Sequence, residues 1–159
     1  MRPMVGVVIG SKSDKEIALG CTEILEKFGI PYELRILSAH RTPDLTRSFA
    51  ESAKKRGLEV IIAIAGWAAH LAGFIASHTT VPVIGVPVDS SPLKGIDALL
   101  STVQMPPGIP VATVSIGKGG ARNAAILAAQ ILSIKYPEIE KKVLSYREEM
   151  RKGYSVESD

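Results

Sequence analysis

Short continuous apolar runs alternate with segments of helical periodicity from one end of the chain to the other. Met4–Ile9 is an unbroken apolar run closed by Gly10, the form of a strand covered on both faces. Ile17, Cys21, Ile24, Leu25 and Phe28 then fall on one helical face that Gly29 stops. Pro31 introduces a second strand from Tyr32 to Leu37. Thr42 stands as a cap with Pro43 at the first helical position. Leu45, Phe49 and Ala53 mark the buried stripe of that helix, and Gly57 ends it. Strands are expected at Val60–Ile64, Val83–Val86 and Val111–Ile116, with short helices at Ala69–Ser77 and Ile96–Val103. An Ala-rich helix over 121–134 is followed by a last one over 137–152, which carries Ile139, Val143, Tyr146 and Met150 on one face. A polar tail, 153–159, closes the chain.

Alternating strands and helices imply a parallel sheet with helices on both faces. No linker, repeat or low-complexity stretch interrupts the pattern, so residues 1–159 read as one three-layer α/β domain with its core over about 4–134 and a C-terminal helix. Composition changes this picture little. Lys and Arg number 19 against 16 Asp and Glu, a net charge of +3. The basic residues are scattered, which argues against a nucleic-acid face. Cys21 is the only cysteine, so neither a disulfide framework nor a cysteine metal cluster is available. With no secretory leader at the start, the expectation is cytoplasmic.

Val60 to Val88 holds no Asp, Glu, Lys or Arg, yet Gly66, His70, Gly73, His78, Pro82, Gly85 and Pro87 punctuate it. A membrane span needs ~20 predominantly apolar residues in an unbroken helix, so this stretch reads as strand, turn, short helix and strand. From Gly57 to Gly117 the only charges are Glu59, Asp89, Lys94 and Asp97. The helix from Ala121 is apolar nearly all round, and together these features point to a homo-oligomer.

In open parallel sheets, ligands bind at the carboxyl ends of the strands near the point where strand order reverses. Four loops fall at such ends. Gly10-Ser-Lys-Ser-Asp14 joins a tight turn and hydroxyls to a helix N-terminus, an arrangement suited to a phosphate; a simple helix cap accounts for only one of its polar residues. Ser38-Ala-His-Arg-Thr-Pro43 places His40, the side-chain type whose charge changes nearest neutrality, beside the fixed cation Arg41. Ala65-Gly-Trp-Ala-Ala-His-Leu-Ala-Gly73 puts glycines where backbone approaches a ligand closely, with His70 lining the site. His78 lies at the far end of the same helix and is given no chemical role. Pro87-Val-Asp-Ser-Ser-Pro92, leading to Leu99–Pro106, forms an ordered loop placed to close over a ligand.

On these segments the chain resembles the PurE family. GSKSD at 10–14, SAHRTPD at 38–44, AAHL at 68–71, VPVIGVPV at 81–88, STVQMPPGIPVATVSIG at 101–117 and NAAILAAQIL at 123–132 occur in order at consistent spacing. The resemblance runs from about Val5 to Leu132. It implies a flavodoxin-like, doubly wound αβα fold, an octamer, no metal or organic cofactor, and a small-molecule nucleotide substrate. The match is better to the class I members, the N5-carboxyaminoimidazole ribonucleotide mutases of purine biosynthesis, than to class II members, which carboxylate aminoimidazole ribonucleotide directly. It further implies that Ser11, Ser13 and Arg41 hold the 5′-phosphate, Asp14 the ribose hydroxyls, and Ser38 the pocket. His40 is then the proton shuttle, and Gly66, Ala68, His70 and Leu71 surround the imidazole and the migrating carboxyl group. A transient contact with an ATP-dependent carboxylating enzyme, nucleic-acid independence and membrane independence complete the expectation. The third loop departs from the family pattern: Trp67 replaces a glycine and Ala72 a proline. An indole there either points outward or narrows the pocket. A non-catalytic phosphate-binding module is the rival from another class. A phospho-receiver, however, wants an aspartate where Ala65-Gly66 stands, and a dinucleotide binder wants GxGxxG after the first strand.

Overall fold

The valine- and isoleucine-rich runs become the centre of a five-stranded parallel sheet ordered β2-β1-β3-β4-β5. The structure, a computed structural model, describes residues 2–153. Its strands are β1 Val5–Ile9, β2 Tyr32–Ile36, β3 Val60–Gly66, β4 Val83–Val88 and β5 Ala112–Thr113. Its helices are α1 Lys15–Lys27, α2 Pro43–Arg56, α3 Leu71–Ser77, α4 Ile96–Val103, α5 Lys118–Ser133 and α6 Pro137–Gly153, with a short 3-10 turn at Lys12–Asp14. Of the expected tail 153–159, Gly153 ends α6; residues 154–159 lie outside those described.

β1 and β4 are buried at every position, because helices cover both faces of the sheet. One face packs Val5, Val7 and Ile9 with Ile62 and Ile64 against α1 and α5, and α6 lies on α5. The other packs Val8, Ile61 and Ala63 against Phe49, Ala50 and Ala53 of α2 and Leu71 and Ile75 of α3. Full burial of one such isoleucine contributes ~1.5–3 kcal/mol. α1 and α5 approach closely because Gly20 has no side chain: a Cβ there would lie 2.8 Å from the Lys118 carbonyl oxygen.

Several local expectations are corrected. Leu45 is 56% exposed, and Thr46 is the buried residue of that turn. Thr46 is admitted to the core because its hydroxyl donates to the carbonyls of Thr42 (2.8 Å) and Ser38 (3.2 Å). Thr42 occupies the cap position with Pro43 in the first turn, but its side chain does not cap α2. Its hydroxyl instead accepts from the Ser38 N–H at 3.0 Å and donates to the Ser38 carbonyl at 3.1 Å, pinning the preceding loop. The expected strand 111–116 pairs regularly only at Ala112–Thr113, and α5 begins at Lys118 rather than Ala121. Pro87 of β4 lacks the N–H that the next rung needs. Only carbonyls of β4 remain there, Gly85 accepting from Val114 (3.1 Å) and Pro87 from Gly117 (2.9 Å). α5 also has a sided burial pattern rather than an all-round one: Ala121, Ala124, Ala125, Ala128, Ala129 and Leu132 are buried, and Ile126, Leu127 and Ile131 partly so.

Candidate active site

With β2 on one side of β1 and β3 on the other, the strand order reverses between β1 and β3, and a cleft opens there at the carboxyl ends. It has a volume of about 660 Å³, within the ~300–1,000 Å³ range of small-ligand sites. Loops following β1, β2, β3 and β4 all contribute to its wall.

The β1 loop supplies a polar end. Ser11 caps the 3-10 turn, accepting from the Ser13 N–H at 3.4 Å, and the Ser13 hydroxyl donates to the Ser11 hydroxyl at 3.0 Å. Arg41, from the β2 loop, reaches across to donate to the Gly10 carbonyl at 3.1 Å. Ser38 fixes Arg41 from the other side, its hydroxyl accepting from the Arg41 backbone N–H (3.1 Å) and side-chain Nε (3.4 Å). The guanidinium therefore bridges the first two loops and leaves the serine hydroxyls and its own remaining N–H groups toward the cleft, an anion-binding set. Asp14 sits behind them, only 4% exposed. Burial raises its carboxyl above the usual carboxylate range, while a hydrogen bond with the Ser11 backbone and the Arg41 charge oppose that rise.

The β2 and β3 loops bring two histidines together. The rings of His40 and His70 lie 5.3 Å apart, tilted by 36°, and His70 meets the Phe74 ring edge-on at 5.7 Å. Phe74 continues to His78 at 4.9 Å, which places His78 outside the cleft wall. Between β3 and α3 the chain makes a tight turn, the Ala69 N–H donating to the Gly66 carbonyl at 3.0 Å. Trp67 and Ala69 adopt left-handed backbone (φ 57° and 40°), a conformation that costs a residue other than glycine on the order of 1–3 kcal/mol. Gly66 is crowded instead by a side chain: a Cβ there would lie 2.1 Å from the Ser90 hydroxyl oxygen, which would have to turn away.

The cleft wall contains Ser11, Ser13, Asp14, Ser38, His40, Arg41, Gly66, Ala68, His70 and Leu71, the full set expected from sequence. It also contains Ser90 and the flanking Gly10, Ala39, Ala65 and Ala69. Ser90 was legible only as part of the loop after β4; its hydroxyl, in the space a side chain at Gly66 would take, singles it out. The rest of that fourth loop does not line the cleft. Trp67 lines the cleft and remains 59% exposed. Among the described residues, no group of three or more His, Cys, Asp and Glu side chains is placed to hold a metal ion. No helix among them is long and apolar enough to cross a membrane.

The family model described as AIR carboxylase matches residues 4–153. The chain belongs to the AIR carboxylase family. Among relatives in that family, an N5-carboxyaminoimidazole ribonucleotide mutase of Thermotoga maritima is 58% identical over 94% of this chain and 86% of its own length. The mutase of the same name in Bacillus subtilis is 52% identical over 100% of this chain and 98% of its own. The crystal structure of Treponema denticola PurE superposes with a TM-score of 0.84 at 35% identity, covering 96% of this chain and 94% of that one. The family's fold is thus the one built here, with the same doubly wound sheet beneath the cleft.

Proposed function

We propose that this chain is an isomerase of de novo purine biosynthesis that converts N5-carboxyaminoimidazole ribonucleotide to 4-carboxyaminoimidazole ribonucleotide. The observation that carries this reading is the convergence of an anion-binding end and a histidine pair in one cleft. Relatives 52–58% identical that bear the mutase name add their weight.

In this reading Ser11, Ser13 and Arg41 hold the 5′-phosphate, Asp14 the ribose hydroxyls, and Ser38 keeps Arg41 in place. Gly66, Ala68, His70 and Leu71 border the imidazole. Binding energy from the phosphate and ribose, remote from the reacting atoms, orients the ring. The bond between the exocyclic nitrogen and the carboxyl carbon breaks, CO2 leaves, and His40 gives its proton to the nitrogen. The ring carbon then attacks the retained CO2, a C–C bond forms, and His40 removes the proton from that carbon. His40 gives one proton to the nitrogen and regains another from the ring carbon, so the reaction needs one acid/base, no redox partner and no cofactor. The protein is proposed to work in the cytoplasm, receiving its labile substrate from an ATP-dependent carboxylating enzyme through transient contact.

The test supplies the N5-carboxylated nucleotide, or the uncarboxylated nucleotide with bicarbonate, in parallel and without ATP or metal. Rapid conversion of the first, with the second requiring very high bicarbonate, is the expected result. Efficient use of the second at modest bicarbonate makes the enzyme a direct carboxylase, and silence in both leaves a binding module.

We further propose a homo-octamer. Leu93, Ile96, Leu100 and Val103 form an exposed apolar stripe on and before α4, each 45–64% accessible, and Leu34 and Ile36 are open on the β2 edge. An apolar face of that size in one protomer favours coverage by other copies. Light scattering at micromolar concentration is expected to give about eight times 17.0 kDa; a monomeric mass removes the assembly.

A further inference from the structure

The indole of Trp67 has no evident reason to be where it is in the free protein. It is the chain's only tryptophan. Its backbone φ of 57° is one that glycine takes freely and other residues resist. A large aromatic ring usually repays such a position by burying its surface, yet Trp67 is 59% exposed. The turn that carries it is closed by a hydrogen bond from the Ala69 N–H back to the Gly66 carbonyl, and the Ser90 hydroxyl fills the space that a side chain at Gly66 would take. The ring therefore borders the cleft that holds His40 and His70, while the anion-binding groups Ser11, Ser13 and Arg41 line the same wall. Strain without burial in the free protein points to a gain made with the ligand.

We propose that Trp67 closes over the bound nucleotide, stacking its indole on the heteroaromatic ring of the substrate. This rests on the mutase reading, and extends it by assigning a substrate-contacting residue that neither the fold nor the acid/base chemistry requires. A flat π-face suits the imidazole, because aromatic stacking reads the ring without needing a particular hydrogen-bond pattern. The phosphate and ribose contacts bring the ring to the turn, and the indole covers the side left open to water.

Three proteins decide it: the wild type, Trp67→Gly, which relieves the left-handed backbone, and Trp67→Phe, which keeps a ring. In the wild type, the single tryptophan is expected to emit as a solvated indole. Titration with aminoimidazole ribonucleotide then quenches and blue-shifts the emission, with the same midpoint as calorimetry. Trp67→Gly is expected to raise KM for the carboxylated nucleotide about tenfold, equivalent to ~1.4 kcal/mol. Its kcat stays within about threefold, the mark of binding lost equally from ground and transition states. Its thermal midpoint does not fall, and Trp67→Phe recovers most of the affinity. An unchanged KM in Trp67→Gly overturns the proposal. So does an emission already blue-shifted in the free enzyme and indifferent to nucleotide, which would mean that a second copy covers the ring. Wild type that binds nucleotide without turnover defeats the mutase reading alone, and the emission titration still decides the stacking. Calorimetric silence defeats both.

Discussion

Replacing His40 with asparagine is expected to lower kcat by ~10²–10⁴-fold, the scale of a lost general acid/base, with nucleotide affinity by calorimetry nearly unchanged. Asparagine keeps the approximate shape and a hydrogen-bond donor but cannot give and take a proton in a single cycle. His40 stands free to do so because the loop behind it is fixed without it. Ser38 is tied through Thr42 and Thr46, and Arg41 through Ser38 and Gly10. The substitution should therefore leave the phosphate end intact, which makes calorimetry a fair control. His70 is the internal comparison. Its ring lies 5.3 Å from that of His40, close enough to share the work, so His70→Asn tests whether one imidazole suffices. If His40→Asn keeps more than about a tenth of wild-type turnover, the proton-transfer role passes to His70 and the mechanism above is wrong in its central assignment.

The layered fold was legible because hydrophobic period and punctuation agreed along most of the chain. Strands buried on both faces need no polar alternation, and β1, β3 and β4 show none. Gly57 and Gly29 sit where the chain turns with positive φ. What remained hidden was decided by hydrogen bonds rather than by hydrophobicity. Leu45 matched the helical stripe better than Thr46, yet the threonine is buried because two carbonyls accept from its hydroxyl. β5 is short because Pro87, two strand positions beyond Gly85, withholds a donor that no period analysis counts.

The site was legible for a topological reason. Once the strands are parallel, their carboxyl-end loops must converge, so polar residues far apart in sequence are brought to one cleft. Residues recognised by chemical type, such as His40, Arg41 and Ser13, were readable on that basis. Ser90 and Trp67 were harder. Ser90 matters because its hydroxyl occupies the space a side chain at Gly66 would need, a steric fact of the loop after β4 lying beside the end of β3. The direction of Trp67 depends on a left-handed turn that a tryptophan in sequence gives no hint of.

Asp14 joins site and stability in one group, and its replacement by asparagine should move them in opposite directions. Burial lifts the carboxyl above its ordinary value of 3.8, so the folded state binds the proton more tightly than the unfolded chain does. Stability from protonation is then fully present below the ordinary value and is lost as pH rises through the higher folded one. At neutral pH the buried carboxylate destabilises the free enzyme. Asp14→Asn is therefore expected to melt higher than wild type at pH 7, with the difference shrinking as pH falls below the ordinary carboxyl range. For a chain of this length each kcal/mol relieved shifts the midpoint by ~2–4 °C. The same substitution removes a charged acceptor for sugar hydroxyls, and hydrogen bonds to charged groups are worth ~1.5–3 kcal/mol, or about 10- to 100-fold in KM. Melting curves at pH 7 and pH 4 beside steady-state kinetics read both. A lower midpoint at pH 7 would make Asp14 a structural anchor of the first loop. An unchanged KM would take it out of the substrate's reach. A carboxyl kept in a buried place, where desolvation opposes its charge, is what a residue held there for its ligand should look like.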